Sequence, residues 1–220
     1  MILRDIDLHL AYLEDIDEWR RLNGPFQDQT SCIEEMFIRL LGTYRNDYCK
    51  KLNINCGENV SEKIEPNIDG FAEITIRFDY SKFVQGDDYL KKTMTLDAIM
   101  KALSIVSKLQ GWDMQPFNTV AERIASLQYK SEWYWKKKSL SPDRKYVAQI
   151  YCEQDTERIN LSLVVNSKDK KESFKQFILT EKPSSWYYAK FLGDIYWLSA
   201  NHIEIKDRWS GEVFFSTDVF

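Results

Sequence analysis

Histidine and glycine are scarce in this chain of 220 residues, which contains two histidines and eight glycines. The imidazoles, His9 and His202, lie far apart in the sequence, and no pair of cysteines has the short spacing typical of zinc sites. The four cysteines are Cys32, Cys49, Cys56 and Cys152. This distribution predicts reduced thiols and no metal site.

The motifs of the common enzyme classes are also missing. The sequence has no GxSxG elbow, HExxH helix, Walker loop, GxGxxG turn or EF-hand loop, and few glycines remain to surround a phosphate. We therefore expect a protein that is not an enzyme and binds no cofactor. An enzyme alternative stays open, because acids are abundant and either histidine could meet a cysteine in the fold.

Long apolar runs are absent as well. No window approaches the roughly 18 uninterrupted apolar residues of a membrane-spanning helix. The first residues, Met1 to Asp5, lack the basic and apolar segments of a secretory signal. These observations predict a cytoplasmic protein without a membrane partner.

Charge is distributed unevenly around a net value of −4. Residues 1–90 contain 18 acidic and 10 basic side chains, which gives −8, whereas residues 91–220 contain 16 and 20, which gives +4. The acidic front half argues against general nucleic-acid binding, because that affinity comes from clustered Lys and Arg. It favours a basic protein partner instead.

One acidic segment in the front half also carries an aromatic residue. Its members are Glu14, Asp15, Asp17, Glu18 and Trp19. Acids around an aromatic anchor are typical of surfaces that dock onto basic proteins, although a solvated helix face has the same composition. We take these five as the candidate partner-binding residues.

Residues 1–140 are expected to be mainly helical, with one or two strands. The predicted elements are a strand over 2–10, an acidic helix over 14–22 ended by Asn23-Gly24-Pro25, a helix over 32–52 that begins with a Ser31–Glu34 capping box, a loop over 53–69 and a strand over 71–80. A helical hairpin follows. Asp87 or Asp88 is a suitable cap for its first helix, Gly111 ends that helix, and Pro116 fits the first turn of the second.

The rest of the chain changes to short apolar runs separated by polar turns, which is the pattern of an antiparallel meander. The predicted strands are 146–151, 159–165, 174–179, 195–198, 203–205 and 213–215, and the charged segment 168–171 fits a hairpin turn. The fold class is therefore α+β: a helical hairpin packed with an antiparallel β-meander, after a helical N-terminal part. Either 1–140 and 141–220 are separate domains, or they form one continuous domain.

A second candidate surface is the aromatic and basic segment from Trp133 to Lys138. Its rings could stack on bases and its lysines could follow a phosphate backbone, which keeps an accessory nucleic-acid-binding protein open as an alternative. The simpler interpretation is that Trp133 ends the apolar stripe of the second helix. The lysines would then complement the dipole of that helix.

Several segments share a family-like pattern. They are Phe78-Asp79-Tyr80, Lys91-Lys92 with Leu96-Asp97, Gly111-Trp112-Asp113 with Phe117, the run from Ser141 to Tyr146, Leu192 to Trp197, and Asn201 to Ile205. Over Phe71 to Phe215 the pattern resembles uncharacterised bacterial families grouped with polymorphic-toxin immunity proteins. The resemblance implies a small cytosolic protein that binds a cognate toxin, often a basic nuclease, and blocks it by covering an essential surface. It assigns no functional residue, and it does not extend to residues 1–70.

Overall fold

The computed structural model describes residues 1–169 and 171–219. The chain divides into two compact units, Met1–Ser131 and Glu132–Phe220, and each has its own buried core. This division lies ahead of the boundary expected near residue 140, because the strand Ser131–Tyr134 belongs to a sheet of the second unit. Helices and several sheets are both present, so the predicted α+β class is confirmed.

The first unit combines a mixed sheet with helices. Its strands are β1 (Ile2–Leu3), β2 (Asp5–Leu10), β3 (Tyr44–Arg45), β4 (Lys51–Gly57), β5 (Lys63–Ile64) and β6 (Phe71–Arg77), and its helices are α1 (Ile16–Leu41), α2 (Tyr80–Gln85), α3 (Asp88–Gln110) and α4 (Gln115–Ser126). The sheet order is β2-β4-β6-β5. Strands β2, β4 and β6 are parallel, β5 is antiparallel to β6, and β1 pairs separately with β3.

Helix α1 corrects the predicted helices of the front half. The helix passes through Gly24 and Pro25, where we expected it to end, and Ser31 lies in its interior, where the hydroxyl donates to the Asp28 carbonyl. Tertiary packing explains the continuity. Phe26 is fully buried and packs edge-on against Phe83, and the burial of Phe26 together with the other apolar side chains of α1 exceeds the roughly 1 and 3 kcal/mol that Gly and Pro cost a helix interior.

The predicted end of that helix and the loop after it are also wrong. The helix ends at Leu41, and Gly42 follows with a φ of 66°, a value that favours glycine. Residues 51–57, expected partly as helix and partly as loop, form the inner strand β4. Its alternating burial places Leu52, Ile54 and Cys56 in the core.

The predicted helical hairpin is confirmed as α3 and α4. The Asp87 side chain accepts the Leu90 amide at 2.8 Å, Gly111 adopts a left-handed conformation, and Pro116 lies in the first turn of α4. Side chains of both helices and of the mixed sheet form one hydrophobic core. Within its own unit, the hairpin therefore packs with a mainly parallel sheet, which the sequence patterns did not predict.

The second unit contains all six predicted strands. Its elements are β7 (Ser131–Tyr134), β8 (Ser139–Leu140), β9 (Tyr146–Gln154), β10 (Ile159–Ser167), β11 (Ser173–Glu181), α5 (Ser185–Tyr188), a 3-10 turn (Ala189–Phe191), β12 (Ile195–Trp197), β13 (His202–Lys206) and β14 (Val213–Asp218). One sheet has the order β11-β10-β9-β7 with β8 beside β9, and another has the order β12-β13-β14. The charged turn expected over 168–171 includes Lys170, which lies outside the described residues.

Candidate functional site

The acidic residues predicted as a binding surface lie together at the start of α1. Asp15 caps the helix, and its side chain accepts the amides of Asp17 at 2.9 Å and Glu18 at 3.1 Å. Asp17 and Glu18 form exposed ion pairs with Arg20 and Arg21, at 3.4 and 3.6 Å. Such surface pairs are weak, so these carboxylates remain able to exchange their arginines for a partner's cations.

The aromatic anchor of this surface differs from the prediction. Trp19 is half-buried, and its indole Nε1 donates to the Leu10 carbonyl at 2.9 Å, which ties α1 to the end of β2. Tyr12 stacks on Trp19 with ring centroids 4.7 Å apart and is 73% exposed. Tyr12 therefore presents the outward-facing ring of this surface. Glu14, two residues further along the chain, is exposed as well.

A groove opens next to these residues at the carboxyl ends of the parallel strands. We call it the carboxyl-edge groove, and its volume is about 360 Å³. Its apolar lining includes Leu10, Leu13, Leu22, Cys56, Val60 and Tyr80. In open parallel sheets, ligands bind beyond the carboxyl ends of the strands, and the groove occupies that position.

The wall of the groove depends on a close approach at Gly57. A Cβ atom there would lie 2.6 Å from a methyl carbon of Val60 and 3.0 Å from the Cβ of Ala11. On the rim, Glu58 accepts the Ser81 amide at 2.7 Å. No sequence pattern predicts this groove, because the composition of residues 53–69 favours a loop; a strand end at Gly57 is the signal that would have placed it.

A charged cluster lies on the polar side of β2 and β4. Lys51 pairs with Asp7 and, at 3.1 Å, with Asp5. Burial lowers the pKa of Lys51, but its bonds to the two carboxylates outweigh this and raise it overall. Burial and the charge of Asp7 raise the pKa of Asp5, and burial lowers the pKa of His9. Lys51 of β4 thus neutralises one of the two carboxylate charges and ties the side chains of Asp5 and Asp7 to the neighbouring strand.

The cysteine alternatives receive no support from the geometry. All four thiols are buried, and burial raises the pKa of Cys49 to about 11 and those of Cys32 and Cys56 further. A buried neutral thiol is a poor nucleophile. Within residues 1–169 and 171–219, no group of three His, Cys, Asp or Glu side chains is placed to hold a metal ion.

The aromatic and basic segment does not form a stacking platform. Trp133 lies on β7, so the prediction that it ends a helical stripe is wrong. The rings of Trp133 and Trp135 are partly buried against the second core, whereas Tyr134 is exposed. Lys137 forms an ion pair with Asp194. The two tryptophans on which base stacking depended are thus engaged in packing.

The structure also brings together a serine, a histidine and an acid that no spacing in the sequence predicts. On β13 and β14, His202 Nδ1 lies 2.6 Å from Asp218 Oδ1, and His202 Nε2 lies 3.0 Å from Ser216 Oγ. Ser216 and Asp218 lie two residues apart on β14 and therefore on the same face of the sheet, and His202 faces them from β13. This is the order of contacts in a nucleophile, base and orienting acid.

Comparison with known proteins finds no matching family model, no matching curated protein and no matching solved structure. The resemblance to immunity proteins therefore stays a prediction. None of the helices in the described part of the chain has the length and apolar character needed to cross a bilayer.

Proposed function

We propose that this chain is an immunity-type binding protein that acts in the cytoplasm and neutralises a cognate toxin by direct contact. The partner surface comprises the start of α1 and the carboxyl-edge groove beside it. The observation that carries the proposal is this juxtaposition of exposed carboxylates with exposed apolar side chains and an apolar groove.

The apolar part would supply most of the binding free energy. Tyr12, Leu13 and Ile16 are exposed within five residues of one another, and Tyr12 is held in place by its stack on Trp19. A rigid aromatic ring beside aliphatic groups and a groove is typical of the centre of a protein interface. An apolar side chain of the partner would enter the groove.

The acidic part would supply speed and selectivity. Four carboxylates lie between Glu14 and Glu18, and the front 90 residues carry a net charge of −8. Such a field accelerates encounter with a cationic protein and disfavours an acidic one. A toxin that acts on nucleic acid would have the basic surface this requires, because it must bind phosphates.

The test uses the full chain and the protein encoded by the neighbouring gene. Co-purification of the two, and loss of the toxin's activity on mixing, is the expected result. A double variant, Glu14→Lys with Asp17→Lys, should lower the association rate constant about tenfold at low ionic strength. Asp15 is left unchanged because it caps α1.

Two controls separate this surface from general effects. Glu212→Lys makes one of the same charge changes at an exposed position of the second unit and should leave association unchanged. Leu13→Ser should speed dissociation, whereas Leu109→Ser, at another exposed leucine, should not. Equal association rate constants for the double variant and the wild type would contradict the proposed partner surface. A toxin that stays active on mixing would contradict the proposed function.

A further inference from the structure

Strand pairing explains why His202 reaches two partners. Asp218 is its direct partner in the register, and Ser216 is the diagonal one. The amide of Val219 donates to the Asn201 carbonyl at 2.8 Å, so that pair is hydrogen-bonded and the adjacent 202/218 pair is not. Side chains are closest in non-hydrogen-bonded pairs, which places the imidazole between the carboxylate and the hydroxyl.

We propose that Ser216, His202 and Asp218 form a hydrolytic site for carboxylic esters, an activity beyond the proposed binding function. Ser216 Oγ is the nucleophile, and His202 Nε2, 3.0 Å away, is the base that takes its proton. Asp218 accepts from Nδ1 at 2.6 Å, which fixes the tautomer with Nε2 free to accept. His202 thus links the hydroxyl of Ser216 to the carboxylate of Asp218.

The reaction proceeds in two halves, with water as the second reactant. Ser216 Oγ bonds to the ester carbonyl carbon while its proton passes to His202 Nε2. The C–O bond to the alcohol then breaks, and the alcohol leaves with that proton. Water attacks the acyl-serine, gives a proton to His202, and releases the carboxylic acid as Ser216 recovers its proton.

The backbone amide of Ser216 is a hydrogen-bond donor next to the nucleophilic hydroxyl. Because pairs alternate along the ladder, the 204/216 pair is also non-hydrogen-bonded, and the Ser216 amide points away from β13. Strand β14 ends the described order β12-β13-β14, so this amide faces the outer edge of the sheet. It can donate to the oxyanion that forms on the carbonyl oxygen.

The surroundings define the substrate class. Leu198 is 60% exposed, and its amide donates to the His202 carbonyl at 3.0 Å, while Tyr196 is exposed on the adjacent strand β12. Both lie beyond β13 from Ser216 and leave the exposed serine open, and an open site of this kind takes small activated esters. The Asp218 side chain is 77% exposed, so water weakens its effect on His202 and the rate enhancement is modest.

The test is hydrolysis of p-nitrophenyl acetate by the purified full chain. Ser216→Ala and His202→Gln should each lower kcat/KM about 100-fold, the size of a general-base contribution. His9→Gln controls for the unspecific reactivity of imidazole, and Ser210→Ala, in the turn of the same hairpin, controls for an exposed hydroxyl. Both should keep the wild-type rate.

Mass spectrometry of the acid-quenched reaction gives a second readout. One acetyl group on Ser216 is expected, absent from His202→Gln. Wild-type rates in Ser216→Ala or His202→Gln, or an acetyl group only on other residues, would overturn the proposal. Circular dichroism spectra matching the wild type would show that the substitutions leave the fold intact. Toxin binding is measured separately, so failure of either activity leaves the other standing.

Discussion

At the scale of single residues, Gly57 is the position where the carboxyl-edge groove tolerates least change. A Cβ atom there meets Val60 at 2.6 Å, so Gly57→Ala should lower the free energy of unfolding by about 1–3 kcal/mol through overpacking. Val60→Ala removes the methyl groups that clash. The double variant should therefore recover part of the loss in a denaturant-unfolding cycle.

Gly24 is the matched control for that substitution. It lies inside α1, and nothing is within 4 Å of an added Cβ. Gly24→Ala should raise the free energy of unfolding by about 0.5–1 kcal/mol, because alanine loses less chain entropy in a helix. Equal effects at the two glycines would contradict the close approach at Gly57.

Residue identities predicted the acidic surface but not its contacts. Charge order along Glu14 to Glu18 is visible in the sequence, and the structure places Asp17 and Glu18 in the first turn of α1, Asp15 at its cap and Glu14 just before the cap. Whether Trp19 or Tyr12 points outward depends on the hydrogen bond to Leu10, a contact to a different element. The serine, histidine and acid set depends on the register of β13 and β14, which no spacing along the chain reveals.

At the scale of elements, α1 closes the outer edge of β2 with its side chains. Glu34 Oε1 accepts the Leu8 amide at 2.8 Å, and Asn23 Oδ1 accepts the Leu10 amide at 2.7 Å. These bonds protect an edge whose amides would otherwise be open to another strand. They also help to explain why the helix continues beyond Asn23, where local signals favoured its end.

The buried Glu34 predicts a pH-dependent stability. Burial and the charge of Asp7 raise its pKa well above the ordinary 4.5. The folded chain therefore keeps this proton at pH values where the unfolded chain has released it. For this group, the free energy of unfolding is highest below pH 4.5 and falls as pH rises through the raised folded pKa.

Glu34→Gln isolates that contribution, because glutamine keeps the acceptor for the Leu8 amide and does not titrate. Urea unfolding at a series of pH values should show the variant gaining stability relative to the wild type as pH rises above 4.5. Glu14→Gln makes the same change at an exposed carboxyl and is the matched control. Parallel curves for Glu34→Gln and the wild type would show that the carboxyl titrates normally.

Elements with strong local signals were predictable, and elements set by long-range pairing were not. Asp87 and Gly111 delimit α3 through local hydrogen bonding and backbone conformation, and the structure keeps both boundaries. Strand β4 has no such signals, because Gly57 and several asparagines obscure its alternation. Its place between β2 and β6 comes from partners that are distant in sequence.

At the scale of the whole molecule, each unit encloses its own hydrophobic core. The first core draws on residues from Leu3 to Ile124, and the second on residues from Ala148 to Val219. A chain of about 130 residues buries enough apolar surface to fold alone. We therefore predict that residues 1–131, expressed without the rest, fold cooperatively.

The measurement is urea unfolding followed by circular dichroism, together with amide spectra compared with those of the full chain. A single cooperative transition, and unchanged amide positions for core strands β2 and β4, are expected. Residues 1–110 form the control, because that fragment lacks α4, whose Phe117 and Ile124 are fully buried. Losing them removes the side of the core that α4 covers, including the stack of Phe117 on Phe37 of α1, so the shorter fragment should lack a cooperative transition. Collapsed, poorly dispersed spectra for 1–131 would show instead that the first core is incomplete without the second unit.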